Sequence, residues 1–333
     1  MRQARILGVG RFVPPLVVHN DDLSKVMDTN DEWIQQRTGI RQRHFSDGNT
    51  GASDMAAVAA REAMDRAGIG PADVDCVIFA TLSPDVDMPA SACLLQDKLG
   101  LGHVPAFDVR NQCSGFLYST AIADKCVKTG MYDHVLVVGA EVHSTGIDLT
   151  TRGREVAVLF GDGAGAAVVG PEPDASRGIL ATRLHADGRF AEKLWLEAAA
   201  SRDRPRLTQA TVDDPAAPLF PKMEGRYVFK HAATRMPEVI REALDAVSLS
   251  PADISLLVPH QANIRINQAA AAALGIPDDR VVHNIDRYGN TTAGSIPIAL
   301  AEAIDQPRVQ PGDLVCLAGF GAGFTWGAIL IRW

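Results

Sequence analysis

Residues 61–73 read REAMDRAGIGPAD and residues 241–253 read REALDAVSLSPAD, seven identities in thirteen positions. Self-similarity of this kind marks a duplicated architecture. The likeness continues outward from the two stretches. Each is followed by an apolar strand (74–80; 254–259) and a helix-like segment ending in Leu-Gly (Leu99-Gly100; Leu274-Gly275). A second strand (104–109; 281–285), a helix of small residues (114–128; 291–304) and a final strand (134–138; 314–317) complete each copy. Strands alternating with amphipathic helices predict an α/β fold with mostly parallel sheets. Upstream of the first copy, Met55, Val58, Ala59, Ala63 and Ala67 fall near one face of a helix over 53–67, with Gly68 placed to cap it. The helix from Ser114 carries Gly115, Phe116, Leu117, Ala121, Ile122, Ala123 and Val127, and its counterpart carries Ser295, Ile296, Ile298, Ala299 and Leu300. Helices so apolar on most sides belong inside, so the reading is two central helices between two sheets. The boundary between halves falls at 172/173, giving modules 1–172 and 173–333 of one compact unit. The segment 198–225, rich in Pro, Asp, Arg and Ala, breaks the pattern and reads as a surface insertion.

Composition narrows the function classes. The chain has 333 residues, 47% apolar and 22% charged, which is ordinary for a globular protein. Mean hydropathy is +0.02, and apolar runs such as 135–138 fall far short of the roughly 18 residues a membrane span needs. With 32 Lys and Arg against 40 Asp and Glu, the net charge of −8 argues against nucleic-acid binding, and an acidic partner would need a local basic patch. Gly8, Gly10 and Arg11 interrupt the N-terminal apolar stretch, so no signal peptide is read and a cytoplasmic location is expected. Five cysteines (Cys76, Cys93, Cys113, Cys126, Cys316) without a C-x-x-C pair suggest neither a disulfide framework nor a zinc site. None of the nine histidines pairs with a ligand at metal spacing, so no metal is expected.

The duplication also points to chemistry. Cys113 precedes the central helix of the first half, Asn290 precedes its counterpart in the second, and His260 ends the first strand of the second half, where the first half has Ala80. Pseudo-twofold packing would bring all three together. A cysteine opening a helix faces unpaired N–H groups, a placement that lowers a thiol pKa and activates a nucleophile. Cys76, Cys93, Cys126 and Cys316 lie in apolar stretches and read as structural. Gln261, Asn263 and Arg265 follow His260 directly, a polar cluster at a strand end where sites of α/β sheets collect. The runs GDGAGAAVVG (161–170) and GFGAGFTWG (319–327) match no phosphate loop and read as close packing or as N–H groups aimed at an oxyanion.

These stretches, with TNDEWIQQRTGIRQR (29–43), DVRNQCSGF, PHQANIRI and YGNTTAG, resemble the beta-ketoacyl-acyl-carrier-protein synthase III family of the thiolase superfamily over nearly the whole chain. The resemblance implies a five-layered αβαβα sandwich of two duplicated halves, usually a homodimer. It also implies a decarboxylative Claisen condensation between an acyl-CoA primer and malonyl-acyl-carrier protein, initiating fatty-acid synthesis with no cofactor, the CoA thioester being a substrate. By resemblance Cys113 carries the acyl group, while His260 and Asn290 hold the malonyl thioester carbonyl. Phe320 walls the site, and the N–H groups of Cys113 and of the Gly321-Ala322-Gly323 turn form a second oxyanion hole. Ala322 stands where the family has glycine. Trp33 and Arg152 match the residues that sandwich adenine, Arg37 a phosphate contact, and Asn263 a contact in the pantetheine tunnel. Lys230 and Arg265 match a carrier-protein patch, although Ala272 and Ala273 stand where some members have lysines. Met88 matches the residue that caps the acyl pocket of the neighbouring subunit, and its flexible thioether would admit more than acetyl. Two other readings are compatible with these residues: a related enzyme of secondary metabolism using the same acyl-cysteine with another acceptor, and a binding protein on a retired thiolase scaffold.

Overall fold

In the computed structural model, which describes residues 2–214 and 217–333, the Pro-Ala-Asp of each repeat forms a tight turn, Pro71–Asp73 and Pro251–Asp253. Proline at the first position fixes φ, and the aspartate carboxylate accepts the N–H of the residue before the proline. Gly70 N lies 2.8 Å from Asp73 Oδ2, and Ser250 N lies 2.7 Å from Asp253 Oδ2. The same sequence therefore makes the same turn, which launches the first strand of each half.

The first half contains β1 (Gln3–Phe12), α1 (Asp31–Thr38), α2 (Ala52–Ala67), β2 (Cys76–Ala80), α3 (Ser91–Lys98), β3 (Ala106–Val109), α4 (Gly115–Thr129), β4 (Val135–Glu141) and β5 (Gly163–Glu172). The second contains β6 (Gly178–Ala186), α5 (Gly225–Asp245), β7 (Leu256–Pro259), α6 (Ile264–Leu274), α7 (Ser295–Asp305), β8 (Leu314–Gly321) and β9 (Thr325–Arg332). Among the described residues the strands form one sheet in the order β1-β5-β4-β2-β3 and another in the order β6-β9-β8-β7. Parallel pairs β4–β2 and β2–β3 correspond to β8–β7, and antiparallel pairs β1–β5 and β5–β4 correspond to β6–β9 and β9–β8. The two sheets are copies of one topology.

Burial sorts the helices into layers. Met55, Ala59 and Ala63 of α2 and Leu95 of α3 pack on Phe79, Leu136 and Val138 of the first sheet. Val239, Ile240 and Ala243 of α5 and Ile266 and Ala270 of α6 pack on Leu257, Cys316 and Leu330 of the second. Between the sheets, Phe116 and Leu117 of α4 and Ile296 and Leu300 of α7 meet Val137, Val169, Val258 and Leu317. Burying each such Leu, Ile or Phe contributes roughly 1.5–3 kcal/mol. The order helix, sheet, helix, sheet, helix is the five-layered sandwich expected.

Several expectations need correction. The second strand of the second half reduces to a single bridge, Leu257 to Val281, and Ile285 opens a short helix. The Gln261 side chain replaces the missing ladder: its Nε2 donates to Val282 O (2.9 Å) and its Oε1 accepts from Asn284 N (3.2 Å). Both central helices begin with a 3-10 turn, Gln112–Ser114 and Thr292–Gly294. Val58 and Ile122 are exposed, because the apolar stripes of α2 and α4 are narrower than the sequence spacing suggested. Cys93 is exposed as well, on the outer face of α3. Segment 198–225 includes a short helix, Gln209–Asp213, and ends on the pairing of Lys222–Met223 with Leu194–Trp195; residues 215 and 216 lie outside the described part. Among the described residues no helix is long and apolar enough to cross a membrane.

Candidate active site

Cys113 sits in the 3-10 turn that opens α4, and the turn before α7 holds Thr292 and Ala293 at the matching places. The preceding residues, Gln112 and Thr292, both have positive φ, 42° and 47°. The exact counterpart of Cys113 is therefore Ala293, and Asn290 enters three residues earlier, correcting the direct match drawn from sequence. A β-branched residue at positive φ costs on the order of 1–3 kcal/mol. The close approach of halves needs glycine at Gly139, where a Cβ would collide with Ala293 O, and at Gly321, where it would lie 2.5 Å from Cys113 Cβ and 3.0 Å from Sγ.

Cys113, His260 and Asn290 are 7%, 3% and 5% exposed and line one cavity of about 850 Å3. His260 follows β7, its N–H tied to Ala318 O of β8 at 2.8 Å. Its Nδ1 lies 2.6 Å from Ser295 Oγ, while its buried Nε2 has no partner. Ser295 Oγ also accepts Gln261 N–H, and in the tautomer where its own proton is donated to Nδ1, Nε2–H is left as a donor. Burial pushes the His260 imidazole down to about 3, so it is neutral. Asn290 is oriented by its amide oxygen, which accepts Thr292 N–H at 2.8 Å, leaving its NH2 to donate. Two neutral donors thus serve one cavity, the requirement for holding a developing oxyanion.

The thiol departs from expectation. Burial pushes Cys113 up to about 12, with Glu141 adding to the rise, against hydrogen bonds from Ala322 N–H, its own N–H and Thr292. The helix proper starts two residues later, so desolvation outweighs the helix end. Ala322 is the member of the 321–323 turn that addresses the sulfur, and Phe320 and Gly321 line the cavity. Sequence reasoning missed Ser295, Thr292, His143 and Glu141. Glu141, buried in β4, is pushed up to about 7 by burial, against hydrogen bonds from Ser83, Leu82 and Thr81. Its mate in β8 is Gly321, so comparing the two copies residue by residue was the signal available. Among the described residues no group of three or more His, Cys, Asp or Glu is disposed to hold a metal ion.

Residues 107–188 match the family described as 3-oxoacyl-(acyl-carrier-protein) synthase III, and residues 244–333 match its C-terminal part. The beta-ketoacyl-(acyl-carrier-protein) synthase III of Rhodospirillum centenum is 46% identical over 331 residues, 98% of each chain. The chain belongs to the 3-oxoacyl-(acyl-carrier-protein) synthase III family. Crystal structures of the synthases III of Aquifex aeolicus (43% identity, 99% of this chain and 100% of that one) and Pseudomonas aeruginosa (38%, 100% and 98%) both superpose with a TM-score of 0.90.

At the cavity mouth the residues drawn from the synthase III resemblance separate. Trp33, Arg37, Asn263 and Arg265 line it, joined by Arg226, which sequence reading missed. Arg37 Cζ lies 4.6 Å from the Trp33 ring centre and Arg154 Cζ 5.5 Å. Arg152 does not stand at Trp33. Asp148, four residues earlier, holds its Nε at 2.6 Å, and its guanidinium lies over Phe220 at 5.6 Å. Asn263 first serves the fold: its Oδ1 caps α6 through Arg265 N (2.9 Å) and its Nδ2 donates to Arg37 O (2.9 Å). Lys230 is exposed on α5 outside the lining, and Met88 is 86% exposed on the loop between β2 and α3.

Proposed function

We propose that the chain loads an acyl group from acyl-CoA onto Cys113 and condenses it with malonyl-acyl-carrier protein to give a 3-oxoacyl-carrier protein, the first condensation of fatty-acid synthesis. The observation that carries this is the joint burial of a thiol and two oriented neutral donors in one cavity. Cys113 Sγ attacks the thioester carbonyl, the bond to CoA sulfur breaks, and the cysteine proton leaves with the released CoA thiol. The malonyl thioester oxygen then sits between His260 Nε2–H and Asn290 Nδ2–H. The C–C bond to the carboxylate breaks, its electron pair forms the enolate, and CO2 departs. The enolate carbon attacks the acyl-Cys113 carbonyl, whose oxyanion is held by the N–H groups of Ala322 and Cys113, and collapse breaks the C–S bond and frees Sγ as a thiolate, which takes up one proton from water. Phe320, buried in the wall, leaves the carboxylate unsolvated and favours its loss. CoA itself is the thioester substrate, and no step requires a cofactor.

Arg37, Arg226 and Arg265 at the mouth suit CoA phosphates, and they outnumber Glu155 and Glu224 of the same lining, a local excess of positive charge open to an acidic carrier protein on a chain of net charge −8, with Lys230 exposed on the same helix as Arg226. Arg152 would have to leave Asp148 to reach adenine over Trp33, and Asn263 keeps one amide proton for pantetheine. The nucleophile belongs to the half 1–172 and the two donors to the half 173–333. We read the protein as a cytoplasmic homodimer: Val86, Met88 and Phe107 are exposed at and beside edge strand β3, and pairing there would let Met88 cap the acyl pocket of the neighbouring subunit. A second reading keeps the acyl-cysteine and changes the acceptor. It is favoured by likeness to the priming beta-ketosynthase of a polyketide biosynthetic pathway, 34% identical over 99% of this chain and 96% of that one, TM-score 0.90. Incubation with acyl-CoA and malonyl-carrier protein tests the choice: 3-oxoacyl-carrier protein, abolished in a folded Cys113→Ala variant, is expected. Product from another acyl acceptor alone would select the second reading, and product from Cys113→Ala would defeat both.

A further inference from the structure

His143 has no place in the steps above, yet it is among the most tightly fixed side chains of the site. It lies just beyond β4 and is 5% exposed, its backbone N–H donates to Asp162 Oδ1 at 2.6 Å, and its ring stacks on Phe160, centres 4.4 Å apart. Its Nε2 lies 2.7 Å from Thr292 Oγ1. Thr292 in turn stands in the turn that packs against that of Cys113, where its hydroxyl favours the thiolate, and it orients Asn290 through its N–H. A threonine at φ 47° is held there against its preference, a sign that its position matters for the site.

We propose that His143 is a positioning residue for the nucleophile: its Nε2–H donates to Thr292 Oγ1, so that the Thr292 hydroxyl proton is committed to Cys113 Sγ and stabilises the thiolate. A threonine hydroxyl has one proton and two acceptor sites. Without an N–H donor on its oxygen the hydroxyl is free to turn away; with one, its proton points at sulfur, and the donors in series polarise each other. This supplies part of what the helix end does not: Cys113 is desolvated and faces Glu141, so formation of the thiolate depends on fixed donors. The ionisable groups around the relay are Glu141 and Asp162 with the neutral His260, and the burial that pushes His143 down to about 3 keeps it neutral and a donor rather than a cation.

The inference rests on Cys113 as the nucleophile, and its test is independent of CoA and carrier protein. The rate of iodoacetamide alkylation at Cys113, followed by peptide mass spectrometry against pH, reports the thiolate fraction. His143→Leu is expected to slow alkylation about tenfold at each pH below the thiol's midpoint, the equivalent of a midpoint about one unit higher. His143→Gln, which keeps an N–H donor, should restore the native profile. Thr292→Val should shift it as His143→Leu does, and the double variant should shift it no further. A His143→Leu protein that melts lower but alkylates with the native midpoint overturns the relay and leaves His143 structural. Should that variant not fold, Thr292→Val decides: a native midpoint overturns the relay and a raised one sustains it. Failure of native Cys113 to alkylate at any pH would overturn both the relay and the reading of Cys113 as nucleophile.

Discussion

In the proposed reaction Cys113 carries the chemistry, yet its own surroundings oppose ionisation, so its reactivity would reside in the donors set around it. Ala322 N–H and Thr292 address the sulfur, His260 is aimed by Ser295, and Asn290 is aimed by Thr292 N–H. This dependence on placement makes Gly321 the sharpest test at this scale. An added Cβ would stand 2.5 Å from Cys113 Cβ and must displace it. Gly321→Ala is expected to lower single-turnover acyl transfer from acyl-CoA by about 100-fold, the order that a misplacement near 1 Å costs. An unchanged rate would mean that the thiol position is not critical. That Cys113, His260 and Asn290 line one cavity was legible in the sequence because the duplication placed their elements together and the side chains are chemically distinctive, although the exact register put Ala293, not Asn290, opposite Cys113. Ser295, Thr292 and His143 were not, because each acts by bonding a neighbour, and a hydroxyl in a small-residue helix looks like packing until its partner is seen.

At the scale of elements, the repeated Pro-Ala-Asp turns carry the registers that the site needs. Each aspartate closes its turn by the same bond, so Asp73→Ala and Asp253→Ala should each lower the urea unfolding midpoint. A cost confined to one of them would show that the two turns are not equivalent. Strands and central helices were readable from period and composition, and the ends of elements less so. The 3-10 turns before α4 and α7 leave no mark in hydrophobic pattern, since they depend on positive φ at Gln112 and Thr292, neither of them glycine. The missing second strand of the second half depends on one side chain, Gln261, replacing a ladder with bonds of its own. Arg152 has a similar lesson: a motif fixes its position along the chain, but Asp148, four residues earlier, decides where its guanidinium points here.

Across the whole molecule, two sheets pressed on a pair of buried helices place the ionisable residues of the site where water does not reach. His143 and His260 are pushed down to about 3, so the stability they permit is present above their ordinary value of 6.5 and is lost as pH falls toward 3. Glu141, pushed up to about 7, works oppositely: its contribution is present in acid and is lost as pH rises from 4.5 through 7. Glu141→Gln removes that penalty, so its stability relative to the native protein should climb by up to ~1.4 kcal/mol per pH unit between pH 5 and 7. A pH-independent difference in urea midpoints would show that Glu141 is already ionised in the fold. The acidic balance of the chain looked unfavourable for an acidic carrier protein, but charge is local: Arg37, Arg226 and Arg265 gather at one mouth from α1, α5 and α6 against two carboxylates, Glu155 and Glu224. The central claim is that this mouth leads to an acyl-accepting cysteine, and mass spectrometry tests it directly. Exposed to acyl-CoA, the peptide containing Cys113 should gain one acyl group and lose it on addition of malonyl-carrier protein. An unmodified Cys113, or an acyl group found on another residue, would contradict the account.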